Sequence, residues 1–128
     1  MTAYRTEDIP LLLDAPEIGQ GRAIEAGGMM LQREHFKAGA DAGPVFVGLP
    51  GNACQCPHWG YVISGNLKVR TAAGGVDDHP AGTLYYLAPG HVPFFAEDTD
   101  LVEFSPAEEY AHTMGHASRR MEELAAAH

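Results

Sequence analysis

The sequence predicts an all-β domain, a sandwich or barrel of short strands, followed by a helix near the C-terminal end. Glycine and proline interrupt the middle of the chain at intervals of roughly 8–12 residues, and runs rich in β-branched and aromatic residues lie between the interruptions. Helical periodicity is missing until the last part of the chain. Regular turns around short apolar runs are typical of all-β architectures.

The predicted strands follow one another from residue 27 to about residue 105. The hairpin candidate is YVISGNLKVR (61–70), two alternating runs about a Ser-Gly-Asn turn whose Gly and Asn tolerate positive φ. The tail, SRRMEELAAA (118–127), consists of good helix formers, with Ser118 placed to cap them. We therefore expect a helix over about 116–127 that packs outside the barrel or against a second subunit. The strand candidates are GGMMLQREHF (27–36), VFVGL (45–49), WGYVI (59–63), LKVRT (67–71), TLYYL (83–87) and LVEF (101–104).

Size and composition indicate a single globular domain over residues 1–128. Hydrophobic residues make up 45% of the chain and charged residues 20%, as in ordinary folded proteins. The net charge of −9, with scattered basic residues, argues against a nucleic-acid partner, because phosphate binding needs clustered Lys and Arg. No apolar run approaches the roughly 20 residues of a membrane span. The start lacks the pattern of a secretory signal, so we expect a cytoplasmic location and reduced cysteines.

Cys54, Cys56 and His58 stand at every second position just where a strand is predicted to begin. In an extended strand their side chains point to one face, where thiolates and an imidazole would suit a metal ion. The alternative is ordinary core packing, since free cysteine is among the most buried residue types. Pro57 cannot donate to a ladder and is expected to bulge the strand, which would redirect Cys56.

Two phrases of the sequence resemble the motifs of the cupin superfamily. HWGYVISG (58–65) is similar to the end of the first motif, G-x5-H-x-H-x3or4-E-x6-G, with Gly65 as its closing glycine. GTLYYLAPGHVP (82–93) is similar to the second, G-x5-P-x-G-x2-H-x3-N, with Gly82 first and Gly90 inside. The resemblance covers about residues 27–105 and implies a double-stranded β-helix, the jelly-roll barrel.

Cupins usually hold one divalent metal with three histidines and one glutamate, and this chain departs from that set. His58 stands at the motif's glutamate position, while the two histidine positions fall on Asn52 and Cys54, or on Gly51 and Ala53 with the longer spacer. In the second motif the histidine position holds Pro93 and the asparagine position Glu97.

His91 lies two residues before Pro93, so its side chain would point to the same face. The resemblance and the spacing together make His58, His91, Cys54 and Cys56 the candidate ligands, and Zn²⁺, Fe²⁺ or Ni²⁺ the candidate ions.

Two further residues are candidate acids or bases. Glu103, in LVEFSP, is expected to point outward by default, since an unpaired buried carboxylate is costly, but facing inward near His58 it would have a raised pKa and could transfer protons. Tyr61 is the second candidate, as one of the aromatic residues that would line the cavity. His35 is expected on an exposed strand face, and the remaining histidines in a turn or the tail, namely His79, His112, His116 and His128.

Three functions remain open from the sequence. The first is a metal-dependent enzyme acting on a small organic molecule, with dioxygenase, isomerase or epimerase, and lyase chemistry as the classes the resemblance implies. The second is a barrel that binds a small ligand without chemistry, and the third a structural homodimer with a redox-active Cys54. A homodimer is expected in any case, because cupins often pair through outer strands and the segment MEELAAA is amphiphilic.

Overall fold

The computed structural model describes residues 1–127 as nine antiparallel strands in two sheets with two α-helices. The strands are β1 Leu11–Ala15, β2 Gly19–Ala26, β3 Met29–Phe36, β4 His58–Ser64, β5 Asn66–Thr71, β6 Val76–Pro80, β7 Leu84–Leu87, β8 His91–Phe94 and β9 Thr99–Pro106. The helices are α1 Gly43–Phe46 and α2 Ala107–Ala126, and two 3₁₀ turns cover Thr6–Asp8 and Pro50–Asn52. Within residues 1–127, no helix has both the length and the apolar character needed to cross a membrane.

The larger sheet has the strand order β1-β2-β3-β9-β4-β7, and the smaller sheet has the order β6-β5-β8. Their inner faces enclose the main core, which includes Val62, Leu67, Leu87 and Leu101, with Phe95 stacked on Phe36 at 4.5 Å between ring centroids. The all-β prediction and the strands proposed around β3, β4, β5, β7 and β9 are confirmed.

The predicted hairpin over residues 61–70 is wrong. β4 pairs with β7 and β9, whereas β5 pairs with β6 and β8, so Gly65 carries the chain from one sheet to the other. Gly65 has φ +83°, and a Cβ there would lie 2.3 Å from the carbonyl oxygen of Asp98. The alternating pattern of the two strands is the same for either pairing, which is why it did not reveal the crossing.

The run VFVGL is not a strand. Gly43–Phe46 forms the short helix α1 with Pro44 in its first turn, a position that proline favours. Its apolar side chains pack against α2 and the cysteines, since Phe46 lies in one buried cluster with Cys54, Cys56 and Ala117.

The helical tail and the strands both begin earlier than expected. α2 begins at Ala107 rather than near residue 116, directly after Pro106, with Glu108 and Glu109 in the first turn, where acidic side chains favour the helix dipole. β1 and β2 also precede residue 27 and extend the larger sheet by two strands.

Gly60 leaves room for a polar contact between two neighbouring strands. It lies directly opposite Tyr85 on β7 and Glu103 on β9, between the two. A Cβ at Gly60 would lie 2.5 Å from the Tyr85 phenol carbon and 2.4 Å from the carbonyl oxygen of Val102. The Tyr85 ring therefore passes over Gly60, and its hydroxyl donates a hydrogen bond to Glu103 Oε1 at 2.7 Å.

We predict that Gly60→Ala lowers the free energy of unfolding by about 1–3 kcal/mol, because the added methyl overpacks the core and pushes the Tyr85 ring away. Urea denaturation measures this change. Gly75→Ala is the matched control, since its nearest neighbour would be Thr71 Oγ1 at 3.8 Å. Equal stability of the two variants would contradict the packing described for Gly60.

Candidate metal centre

Backbone hydrogen bonds bring Cys54 next to His91. The Cys54 N–H donates to the His91 carbonyl at 2.9 Å, and the Gly90 N–H donates to the Cys54 carbonyl at 2.7 Å. This antiparallel bridge joins the segment before β4 to the start of β8. It places the two side chains at one end of the barrel, beside His58 at the start of β4.

Cys54, His58 and His91 form one compact cluster of metal-ligating atoms. One ligand atom from each residue lies within 4.8 Å of the others. Cys54 Sγ is 3.6 Å from His58 Nε2, and the two imidazole centroids are 4.9 Å apart. Three donors at this spacing can converge on a single ion.

Hydrogen bonds fix both imidazoles through Nδ1. His91 Nδ1–H donates to the Ala88 carbonyl at 2.6 Å, and His58 Nδ1 lies 2.6 Å from Ser105 Oγ. Ser105 Oγ also accepts a hydrogen bond from Gln32 Nε2 at 2.6 Å. Such bonds set the tautomer and orientation of metal-binding histidines and leave Nε2 as the ligand atom.

His91 Nε2 is buried and has no hydrogen-bond partner among residues 1–127. A buried nitrogen without a partner costs free energy, and such atoms are uncommon in folded proteins. Burial lowers the pKa of both His58 and His91 to about 4, so both rings are neutral near pH 7 and each keeps a lone pair. The donor set therefore fits a transition metal.

The two cysteines have different surroundings. Both are buried, and burial raises the pKa of each thiol to about 12. The Cys54 thiol joins the cluster, whereas the Cys56 thiol is directed at the Pro57 carbonyl, 3.5 Å away, and is not one of the three clustered ligands. Of the four candidate ligands, the structure brings together Cys54, His58 and His91.

Acidic side chains lie on the barrel side of the cluster. Glu103 faces inward rather than outward, is 8% exposed, and its Oε2 lies 3.5 Å from His58 Nδ1. Burial raises the pKa of Glu103 to about 7, although the hydrogen bonds from Tyr85 and Glu34 lower it. Burial, together with the nearby Glu103 carboxylate, also raises the pKa of Glu34 well above its usual range. Burial thus makes both carboxyl groups harder to ionise than ordinary glutamates.

An apolar cavity of about 170 Å³ adjoins the cluster. Cys54, His58, Glu34 and Glu103 contribute to its polar part. Its apolar lining comes from both sheets and from the helices, including Phe36, Leu67, Leu87, Phe95, Phe46 and Met114. The cavity can hold a small molecule with one polar end beside the cluster.

Tyr61, the second candidate acid or base, lies on the outer face of β4 and is 41% exposed. Inward-facing residues alternate from His58 through Gly60 to Val62, so Tyr61 points the opposite way. His35 lies on the outer face of β3, with Nδ1 3.2 Å from Asp100 Oδ2.

The other histidines are also away from the cluster. His79 lies on β6, and its Nδ1–H donates to the Leu67 carbonyl of β5 at 2.8 Å. His112 is exposed on α2, and His116 Nε2–H donates to the Val47 carbonyl at 2.8 Å. His128 lies outside the described residues.

Sequence reasoning missed four polar residues of this site, namely Gln32, Glu34, Tyr85 and Ser105. A usable signal exists for three of them: Gln32 and Glu34 alternate along β3, and Ser105 lies two residues after Glu103 on β9. Tyr85 and Tyr86 are adjacent, so their sequence does not say which one faces inward.

Solved structures of the same fold were found, although no protein-family model matches the chain and no curated protein matches it. An ectoine synthase from P. lautus has a TM-score of 0.60 and 16% identity, over 84% of this chain and 78% of that one. An RmlC-like cupin from Shewanella frigidimarina has a TM-score of 0.58 and 17% identity, over 81% and 89%.

An oxalate decarboxylase from B. subtilis has a TM-score of 0.58 and 17% identity. The match covers 80% of this chain but only 28% of that enzyme. These similarities confirm that the chain has the cupin fold, a jelly-roll barrel.

We predict that Glu103→Gln is more stable than the parent at pH 8, by about 2–3 kcal/mol, and nearly equal to it at pH 5. From about pH 4.5 to about pH 7 this glutamate ionises in the unfolded chain while folded Glu103 keeps its proton, so the free energy of unfolding of the parent falls over that range. Glutamine stays neutral and can still accept the Tyr85 hydrogen bond.

Urea denaturation of chelator-treated protein at the two pH values measures this difference. The control is Glu97→Gln, which changes an exposed carboxylate. A stability difference for Glu103→Gln that does not depend on pH would contradict the burial of an ionising Glu103.

Proposed function

We propose that this protein binds one divalent transition metal through Cys54, His58 and His91 and acts on a small, mainly apolar organic molecule in the barrel. The observation that carries the proposal is the buried Nε2 of His91, which has no protein partner within residues 1–127 and belongs to a cluster with a thiol and a second imidazole. A metal ion would satisfy this nitrogen.

A bound ion would displace the proton of the Cys54 thiol, and the resulting set of one thiolate and two imidazoles suits Zn²⁺ best among the ions considered, with Fe²⁺ and Ni²⁺ as the competitors. Three protein ligands leave a position for water or substrate, as in catalytic zinc sites. When bound, the metal would supply Lewis acidity and lower the pKa of a coordinated water. Carboxylates are outside the proposed ligand set, which disfavours Mg²⁺ and Ca²⁺.

The chain's own groups would prepare the site for chemistry. Ser105 and the Ala88 carbonyl orient the two imidazoles. With its pKa raised to about 7, Glu103 can accept or release a proton at Oε2 near neutral pH, while Tyr85 holds Oε1 through its hydroxyl. The apolar walls limit water, which strengthens the electrostatic interactions inside.

The cavity supports a small and mainly apolar substrate. Its volume of about 170 Å³ and its walls of aliphatic and aromatic side chains favour a small molecule with few polar groups. Two of the similar structures are named as enzymes, an ectoine synthase and an oxalate decarboxylase. We therefore favour catalysis, in one of three classes: dioxygenase, isomerase or epimerase, or lyase.

The second candidate function is ligand binding without chemistry. It is favoured by the loss of two of the family's metal positions, since Asn52 lies exposed in a 3₁₀ turn and Pro93 has no ligand atom. Incubating metal-loaded protein with small apolar molecules that raise its melting temperature separates the two functions. Conversion followed by NMR supports the enzyme, and binding without conversion supports the carrier.

We predict that the parent, purified without chelator and without an affinity tag, contains about one metal ion per chain by elemental analysis. Removing any single ligand, as in Cys54→Ala, His58→Ala or His91→Ala, should weaken binding by about 100-fold or more, since changes outside the ligand set already cost 10–100-fold. Cys56→Ala and His35→Ala are matched controls that should keep the metal. A metal-free parent that also takes up no Zn²⁺, Fe²⁺ or Ni²⁺ would overturn the proposal.

We further predict that metal stabilises the fold. At a free concentration 100 times the dissociation constant, binding raises the free energy of unfolding by about 2.7 kcal/mol. Thermal unfolding of apo protein with added Zn²⁺ should show this increase, and chelator should reverse it. The gain should vanish in His91→Ala and persist in Cys56→Ala; a gain that persists in His91→Ala would place the metal elsewhere.

A further inference from the structure

Three polar side chains line one wall of the cavity, on the neighbouring strands β3 and β9. Gln32 and Glu34 lie two residues apart on β3, so their side chains share the inner face of the sheet. Glu103 lies directly opposite Gln32 on β9. We call these three residues the acceptor wall. Because they stand on paired strands, their positions are fixed by the sheet.

Gln32 has a free hydrogen-bond acceptor. Its Nε2 donates to Ser105 Oγ at 2.6 Å, whereas its Oε1 accepts no hydrogen bond from any residue within 1–127. The Gln32 side chain is only 5% exposed and lines the cavity, so a molecule in the cavity is the available partner for this oxygen. A free acceptor at this position favours a ligand with a hydrogen-bond donor.

The two carboxyl groups of the acceptor wall lack a positively charged partner. Glu34 and Glu103 are hydrogen-bonded to one another, and the His58 ring beside Glu103 is neutral near pH 7. No lysine or arginine within residues 1–127 lines the cavity. By contrast, Asp41, elsewhere in the lining, is paired with Arg70 at 2.6 Å. Apolar side chains would be less costly at the two glutamate positions, so the carboxyl pair points to a positively charged ligand.

We propose that the small molecule bound in the barrel carries a primary amino group, which the acceptor wall holds as an ammonium ion. This inference rests on the proposed function, because it names the substrate class of the same site. An ammonium group has three N–H donors, one for each of Gln32, Glu34 and Glu103. Its positive charge compensates the carboxylates, and the apolar lining encloses the rest of the molecule.

Other head groups fit the acceptor wall less well. A carboxylate or phosphate would face two carboxyl groups with no basic side chain from residues 1–127 to attract it. A hydroxyl group has a single donor and no charge. The neighbouring metal site does not oppose an ammonium ion. A divalent ion and the ammonium would carry three positive charges, against three negative charges on the Cys54 thiolate, Glu34 and Glu103.

Three small molecules of similar shape test the head group: isobutylamine, isobutanol and isobutyrate. Their affinities are measured by NMR titration of ¹⁵N-labelled protein, both loaded with Zn²⁺ and treated with chelator, because an amine can also bind a metal directly. Isobutylamine should bind about 10-fold more tightly than isobutanol, or better, in both forms, since hydrogen bonds to charged groups are the stronger ones. Isobutyrate should bind most weakly. The side-chain amide signals of Gln32 should shift with isobutylamine.

Glu34→Gln removes one carboxylate without changing the size of the side chain. It should lower the affinity for isobutylamine by about 10-fold and leave the affinity for isobutanol unchanged. Asp41→Asn is the matched control, since it neutralises a carboxylate that lines the same cavity but already has Arg70 as its partner. It should bind isobutylamine as the parent does. Far-ultraviolet circular dichroism should be unchanged in both variants.

Equal affinity of the parent for the amine and the alcohol, or a preference for isobutyrate, would overturn the proposal. So would equal effects of Glu34→Gln and Asp41→Asn. A preference for the amine in zinc-loaded protein alone would assign the amine to the metal and reject the acceptor wall.

Elemental analysis of the same preparations separates this inference from the proposed function. Amine selectivity in a protein that takes up no metal would support the acceptor wall and reject the metal-dependent function. A bound metal without amine selectivity would support the metal site and reject the acceptor wall.

Discussion

The short antiparallel bridge between Cys54 and His91 is the constraint on which the site depends. Three backbone hydrogen bonds join segments that are far apart in the sequence, one from the Cys54 N–H and two to the Cys54 carbonyl, and they bring a thiol and an imidazole together. β4 begins immediately afterwards, so His58 falls into place beside them. The ligand cluster is thus a product of strand pairing, and its precision comes from the barrel.

Much of the fold and part of the site could be predicted from local pattern. The alternation of Cys54, Cys56 and His58 placed thiol and imidazole side by side, and the offset of two residues between His91 and Pro93 kept the second imidazole on the inner face. The structure gathers Cys54, His58 and His91 in one cluster, whereas the Cys56 thiol is directed at the Pro57 carbonyl. Whether these residues bind a metal stays a prediction.

The remainder depends on which strands become neighbours, and local pattern does not contain that information. The contact between Tyr85 and Glu103 exists because β7 and β9 flank β4 and Gly60 leaves a gap between them. Tyr61 is also a tyrosine in an apolar strand, yet its side chain lies on the outer face of the sheet. Likewise, VFVGL has the β-branched and aromatic residues of a strand. Its first two residues instead form the end of α1, where Phe46 packs against Ala117 of α2.

Helix α2 forms one wall of the cavity. α2 contributes Met114 and Met121 to its lining, next to Tyr110 and Thr113. Methionine is unbranched and polarizable, so it changes rotamer at little cost and fills irregular gaps. The outline of this wall is therefore adjustable while the strands opposite are fixed. Under the proposed function, molecules that share a head group but differ in the shape of their tails would be accommodated without any movement of Cys54, His58 and His91.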